Sequence, residues 1–120
     1  MKVIVVDDDL IMLQAIKNML QKNGYQVFAT TDAQDAIDTM QEEKFDLIIS
    51  DIMMPYVSGI ELLSSIKKSH AQVPIIIISA LDQDEVILTA FQEGASDFVK
   101  KPINLSELLI RVKRALPATA

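Results

Sequence analysis

Five short runs rich in β-branched and aliphatic residues alternate with amphipathic segments along this chain, and that rhythm constrains its fold more than any single residue does. The runs are KVIVV (Lys2 to Val6), YQVFAT (Tyr25 to Thr30), FDLIIS (Phe45 to Ser50), IIIIS (Ile75 to Ser79) and Ser96 to Lys100. Short, nearly continuous apolar runs of this kind read as strands buried on both faces. Leu10, Leu13, Ile16, Met19 and Leu20 form a helical stripe that Asn23-Gly24 stops, and Asp32 caps a second helix carrying Ala36, Ile37 and Met40. After a loop marked by Pro55 and Gly59, Ile60, Leu63 and Ile66 line a third helix. Gln83 to Glu93, closed by Gly94, is the fourth, and Asn104 caps a fifth with Leu105, Leu108, Leu109, Val112 and Leu116 inward. Strands joined through helices need right-handed crossovers. The expected fold is therefore α/β: a doubly wound five-stranded parallel sheet with helices on both faces.

Size and charge narrow the function classes. At 120 residues the chain is predicted to be a single domain with one core. Its longest apolar stretch, VPIIIISAL, falls far short of the ~18 residues of a spanning helix. The start MKVIVVDDD lacks the cleavage-site pattern of a signal peptide. The absence of cysteine excludes disulfides and thiolate metal sites and fits a reducing compartment, so a cytoplasmic location is expected. A net charge of −6 argues against direct binding to nucleic acid, which needs clustered Lys and Arg.

The chemistry gathers at the strand ends. In VIVVDDDLI, Asp7, Asp8 and Asp9 follow directly on the first buried strand. Unit charges ~4 Å apart repel by ~1 kcal/mol in water and by several times that near a protein surface. Something must neutralise them. In a doubly wound sheet, ligands sit outside the carboxyl ends of the strands. That edge collects the aspartates with Asp51 after the third strand, Ser79 after the fourth and Lys101 after the fifth. A hard divalent cation such as Mg²⁺, which takes oxygen ligands and keeps several waters, suits this set. No cysteine and a single histidine make zinc a poor fit. A carboxylate beside such a cation, with a lysine opposite, is placed for phosphoryl transfer. Asp51, alone on its strand end, is the best-placed nucleophile.

With VVDDD, SDIMMP followed by Gly59, Ser79-Ala80 and FVKKP (Phe98 to Pro102) each at the right strand end, the chain resembles, over essentially its whole length, the receiver domain of two-component response regulators. The resemblance implies a flavodoxin-like (βα)5 receiver fold and a role in phosphorelay signalling. In that role Asp51 is the phosphoacceptor, taking a phosphoryl group from a sensor histidine kinase or phosphotransfer protein, and Mg²⁺ is the cofactor. Such a domain is not an enzyme acting on other substrates; it catalyses only its own phosphorylation and dephosphorylation. Asp7, Asp8, Asp51 and the backbone carbonyl of Met53 would hold the metal, Asp7 mainly through water. Lys101, across a cis bond to Pro102, and Ser79 would stabilise the phosphoryl group. Ser79 and Phe98 would form the switch, and the fourth helix, fifth strand and fifth helix the face that controls an output domain or target protein. Homodimerisation on phosphorylation would use the same face. Asp97, Glu107 and Arg111 fill three of its usual charged positions, and Ile87 stands where a base is usual. No direct contact with nucleic acid or membrane is implied. Residues 1–120 would be one receiver domain, either stand-alone or excised from a longer regulator.

The remaining conspicuous residues read as structural. Asp9 is expected to cap the first helix and Lys100 to be a solvent charge. His70, at a predicted helix C-terminus, is expected at the surface. DDDLI also resembles the D-x-D start of haloacid-dehalogenase-type phosphatases, but Ile11 stands at the usual Thr or Val position and no second acidic pair follows the fourth strand.

Overall fold

The computed structural model of the protein describes residues 1–51, 64, 66–68, 72–80 and 83–116. Strands β1 (Lys2–Val6), β2 (Gln26–Thr30), β3 (Leu47–Asp51), β4 (Ile75–Ser79) and β5 (Asp97–Lys100) form a single parallel sheet in the order β2-β1-β3-β4-β5. Four helices are described in full: α1 (Leu10–Lys22), α2 (Ala33–Glu42), α3 (Asp84–Gln92) and α4 (Leu105–Ala115). Residues 64 and 66–68 are also helical, where the third helix was expected, so α3 and α4 are the predicted fourth and fifth. Met53, Pro55, Gly59, Ile60, Leu63 and His70 lie outside the described residues. Among the described residues no helix is long and apolar enough to cross a membrane.

Strand alternation sorts the core into two layers. Val3 and Val5 of β1, Leu47 and Ile49 of β3, and Ile76 and Ile78 of β4 pack with Leu13, Ile16 and Leu20 of α1 and Leu108 and Val112 of α4. Ile4, Val6, Ile48, Ile75 and Ile77 pack on the other face with Ala36 and Met40 of α2, with Ala90 of α3 and with Ile66. Every residue of β3 and β4 is buried, as the unbroken apolar runs require. The sheet grows from β1 to β2 on one side and through β3, β4 and β5 on the other, so the strand order reverses between β1 and β3. Asp7 follows β1 and Asp51 ends β3 at that reversal.

The helix ends follow from capping. Asp9 accepts from the N–H groups of Ile11 and Met12, and Asp32 from that of Gln34. Asn104 accepts from Glu107 N–H at the start of α4. Each such cap stabilises a helix by ~1 kcal/mol. Gly24, at φ 89°, takes the left-handed turn that closes α1. Strands β2 and β5 each start one residue later than expected, at Gln26 and Asp97, and β3 departs most, running from Leu47 to Asp51 rather than from Phe45 to Ser50. The Asp46 carboxylate accepts the Lys2 backbone N–H at 2.8 Å, so a side chain fills the first slot of the ladder and regular pairing starts one residue later. At the far end the strand extends through Asp51, which is thereby fixed in the sheet.

Candidate functional site

The carboxyl edge of the sheet holds Asp7, Asp8 and Asp51, with one oxygen of each lying within 4.8 Å of the others. Asp7 and Asp51 are buried and Asp8 is exposed. Lys101 enters from the end of β5, and its Nζ donates to Asp51 Oδ2 at 2.7 Å. The same ammonium stands 3.5 Å from Asp7 Oδ1 and 3.3 Å from Asp7 Oδ2. Lys101 is itself held by its backbone, whose N–H donates to the Ser79 carbonyl at 2.7 Å, and it joins Pro102 through a cis peptide bond. Asp7 is fixed from two directions: its N–H donates to the Thr30 carbonyl, and its Oδ1 accepts the Asp9 N–H at 2.9 Å. Asp9 in turn accepts from Ile11, so two overlapping Asx turns shape the acidic loop. These positioning contacts were not anticipated, although aspartates spaced two apart before a helix are the local signal for them.

The electrostatics are unbalanced. Burial pushes the Asp7 carboxyl up from 3.8 to about 6; the Asp9 N–H opposes this, the charge of Asp51 adds to it, and Lys101 opposes it again. For Lys101 burial acts downward, but hydrogen bonding and charge from Asp51, then from Asp7, outweigh it and hold the ammonium above the ordinary lysine value. Asp7 Oδ2 is buried without a hydrogen-bond partner, its approach to Lys101 being a charge contact only. A buried, unpartnered carboxylate oxygen is costly unless something else meets it. Among the described residues the donor set is all carboxylate oxygen, which fits a hard divalent cation. Asp7, Asp8 and Asp51 would hold such a cation.

The other expected residues lie on β4 and β5. Ser79, at the end of β4, is fully buried. By strand alternation it follows Ile75 and Ile77 onto the α2–α3 layer, and half-buried Phe98 packs in that same layer. Phe98 pairs with Ile77, two residues before Ser79. Asp51 follows Ile49 onto the opposite layer. At the β5 edge Arg111 of α4 donates to Asp97 at 2.6 Å and to Glu107 at 3.0 Å, so these charges are satisfied within one chain. Asp9 caps α1 as expected, and Lys100 is exposed. The Met53 carbonyl lies outside the described residues.

Residues 3–113 match the response regulator receiver domain family. The transcriptional regulatory protein CrdR of Helicobacter pylori is 34% identical over 114 residues, covering 94% of this chain and 54% of its own length, so the chain spans about half of that relative. The receiver domain of the Francisella response regulator 1452 is similar at a TM-score of 0.89 and 37% identity, over 95% of this chain and 94% of that one. The BeF3-activated DrrB receiver domain is similar at a TM-score of 0.90 and 37% identity, over 98% of this chain and 97% of that one. The chain belongs to the receiver domains of two-component response regulators, the phosphorelay signalling domains its strand-end motifs pointed to.

Proposed function

We propose that Asp51 is the phosphoacceptor of this receiver domain. The observation that carries the reading is the 2.7 Å contact of Lys101 with a buried strand-end carboxylate that has two further aspartates beside it. An Asp51 carboxylate oxygen attacks the phosphorus of a phosphohistidine on a sensor kinase or phosphotransfer protein. The N–P bond breaks, its electron pair stays on the imidazole nitrogen, and that nitrogen takes up a proton from solvent. Lys101 and the Ser79 hydroxyl meet the phosphoryl oxygens that Asp51 acquires. Asp7, Asp8, Asp51 and the Met53 carbonyl would hold Mg²⁺, which when bound would supply charge neutralisation for the carboxylates and the transferring group. Water attacking the phosphorus of the aspartyl phosphate breaks the Asp51 Oδ–P bond and releases inorganic phosphate, which returns the free carboxylate, so the domain catalyses its own phosphorylation and dephosphorylation. Ser79 and Phe98 then bias the face of α3, β5 and α4 that an output domain or target protein reads, in the cytoplasm. Residues 1–120 form one such domain, stand-alone or joined to an output module.

The test is intact-mass analysis after incubation with Mg²⁺ and acetyl phosphate. One hydroxylamine-labile phosphoryl group should appear and be absent from Asp51→Asn. Borohydride trapping and peptide mapping should place it on the SDIMMP peptide. Label on the DDDLI peptide, with turnover of phosphate esters, would instead establish a phosphatase.

A further inference from the structure

We propose that the free edge of β2 pairs antiparallel with β2 of a second copy of this chain, centred on Phe28 and away from the face assigned to output. Strand β2 ends the sheet on one side and β5 on the other. The Gln26 N–H donates to the Met1 carbonyl and the Thr30 carbonyl accepts the Asp7 N–H, so residues 26, 28 and 30 turn their backbone toward β1. By alternation, Val27 and Ala29 turn both N–H groups and both carbonyls outward, where no described residue meets them. Edge strands ordinarily carry charge, proline or a bulge that discourages further pairing. The β5 edge does: Asp97 and Lys100 bound it, and Arg111 holds Asp97 at 2.6 Å. From Tyr25 to Thr31 the β2 edge has no charged residue and no proline, and its register with β1 runs unbroken from Gln26 to Thr30.

The spacing of the outward groups selects the occupant. A two-fold axis through Phe28 sets Val27 against Ala29 of the copy, and Ala29 against Val27 of the copy. Each of these pairs exchanges N–H···O bonds in both directions, so every outward group is met. Phe28 then lies opposite its own image in the closer, non-hydrogen-bonded type of pair, on the face where its ring stands 6.5 Å from that of Phe45. Gln26, the exposed residue of the strand, comes opposite Thr30 of the copy. On the α1 side, Tyr25 of the copy comes opposite Thr31, beside a cleft that Leu10, Leu13, Lys17 and Ala29 line with it. Nothing charged is opposed along the pairing. A foreign strand could satisfy the same backbone groups, but a second copy brings these side chains in self-complementary order. The arrangement points the two acidic edges in opposite directions and leaves α3, β5 and α4 of each copy at the far rims of one continuous sheet.

Sedimentation and amide exchange on the unphosphorylated protein test the pairing. An interface built on one strand per copy falls at the weak end of the range, with a dissociation constant of about 0.1 mM. Between about 10 μM and about 1 mM protein, the monomer then falls from most of the population to about a fifth, and exchange of the Val27 and Ala29 amides slows about fivefold. Val27→Pro, which removes an outward donor and no ladder bond, should stay monomeric throughout. The chain has no cysteine, so single replacements report the register. Phe28→Cys should form an interchain disulfide under mild oxidation, and Gln26→Cys should not. A protein still monomeric at about 1 mM would overturn the proposal, as would protection of Val27 and Ala29 already complete in dilute solution. So would a dimer that survives Val27→Pro, or equal cross-linking of the two cysteine variants.

Discussion

Lys101 donates to Asp51 across 2.7 Å while also standing within 3.5 Å of Asp7, so a single ammonium answers two buried carboxylates from different strands. That shortfall of positive charge sets the behaviour of the site and motivates the first three predictions.

Mg²⁺ should stabilise the fold by mass action. With a dissociation constant near 1 mM, ~10 mM Mg²⁺ adds about 1.4 kcal/mol, which raises Tm by several degrees in a domain of this size. Asp8→Ala, altering an exposed ligand, should fold normally and lose most of that gain. Thermal melts with and without the ion decide the matter, and an identical response in the two proteins would dismantle the metal site.

Without metal, Asp7 should make stability fall as pH rises. Its carboxyl is raised from 3.8 to about 6, so the native state holds the proton more tightly than the unfolded chain does. The stabilisation is fully present below the unfolded value and is lost as pH climbs through about 6. At ~1.4 kcal/mol per pKa unit, the charged form carries a penalty of about 3 kcal/mol. Asp7→Asn should therefore be the more stable protein in chelator at neutral pH, and the difference should close in acid. Urea titrations across a pH series would measure it; a variant less stable than wild type at neutral pH would contradict the burial argument.

Removing the ammonium should do the opposite. Lys101→Met leaves Asp51 and Asp7 facing each other with no described cation between them, a loss on the order of 3 kcal/mol for a broken buried pair. Added Mg²⁺ should recover a larger share of stability in this variant than in wild type. Denaturant midpoints in chelator and in Mg²⁺ would reveal it, and equal midpoints in chelator would show that the pair contributes nothing.

Loading the site should be felt at a distance. With beryllofluoride and Mg²⁺, amide shifts should change across Ala80 to Glu93 and at Phe98 as well as around Asp51. Ser79→Ala should keep the local changes and lose much of the distant set. Shifts limited to the pocket in wild type would remove the transmitted switch.

Much of this was legible because local and global preferences agree. The Ile75 to Ser79 run is a strand with the expected bounds, and Asn23-Gly24, Asp32 and Asn104 end or begin helices where their backbone chemistry demands. The convergence of Asp7, Asp51, Ser79 and Lys101 followed from the rule that parallel strands share a carboxyl edge. What escaped depends on atoms meeting across the sheet. Asp46 competing for the Lys2 N–H, which displaces the start of β3, is a contact between residues 44 apart in sequence. The capture of Arg111 by Asp97 is likewise a matter of side-chain reach between elements, whereas its contact with Glu107 is the i,i+4 pairing that helical spacing does encode. The Asx turn that pins Asp7 was written in the DDD triplet, but it competes there with the reading of those residues as ligands and caps.

The alternation that puts Asp51 on the α1–α4 layer and Ser79 on the α2–α3 layer also governs how such a chain can diversify. Neighbours of Asp51 and neighbours of Ser79 occupy opposite strand parities, so a substitution beside the carboxylate and a substitution beside the hydroxyl fall in different buried clusters. If the α2–α3 layer carries the proposed output, descendants of this sequence would be able to acquire new listeners while keeping the strand-end carboxylates, because the sheet itself partitions the two inheritances.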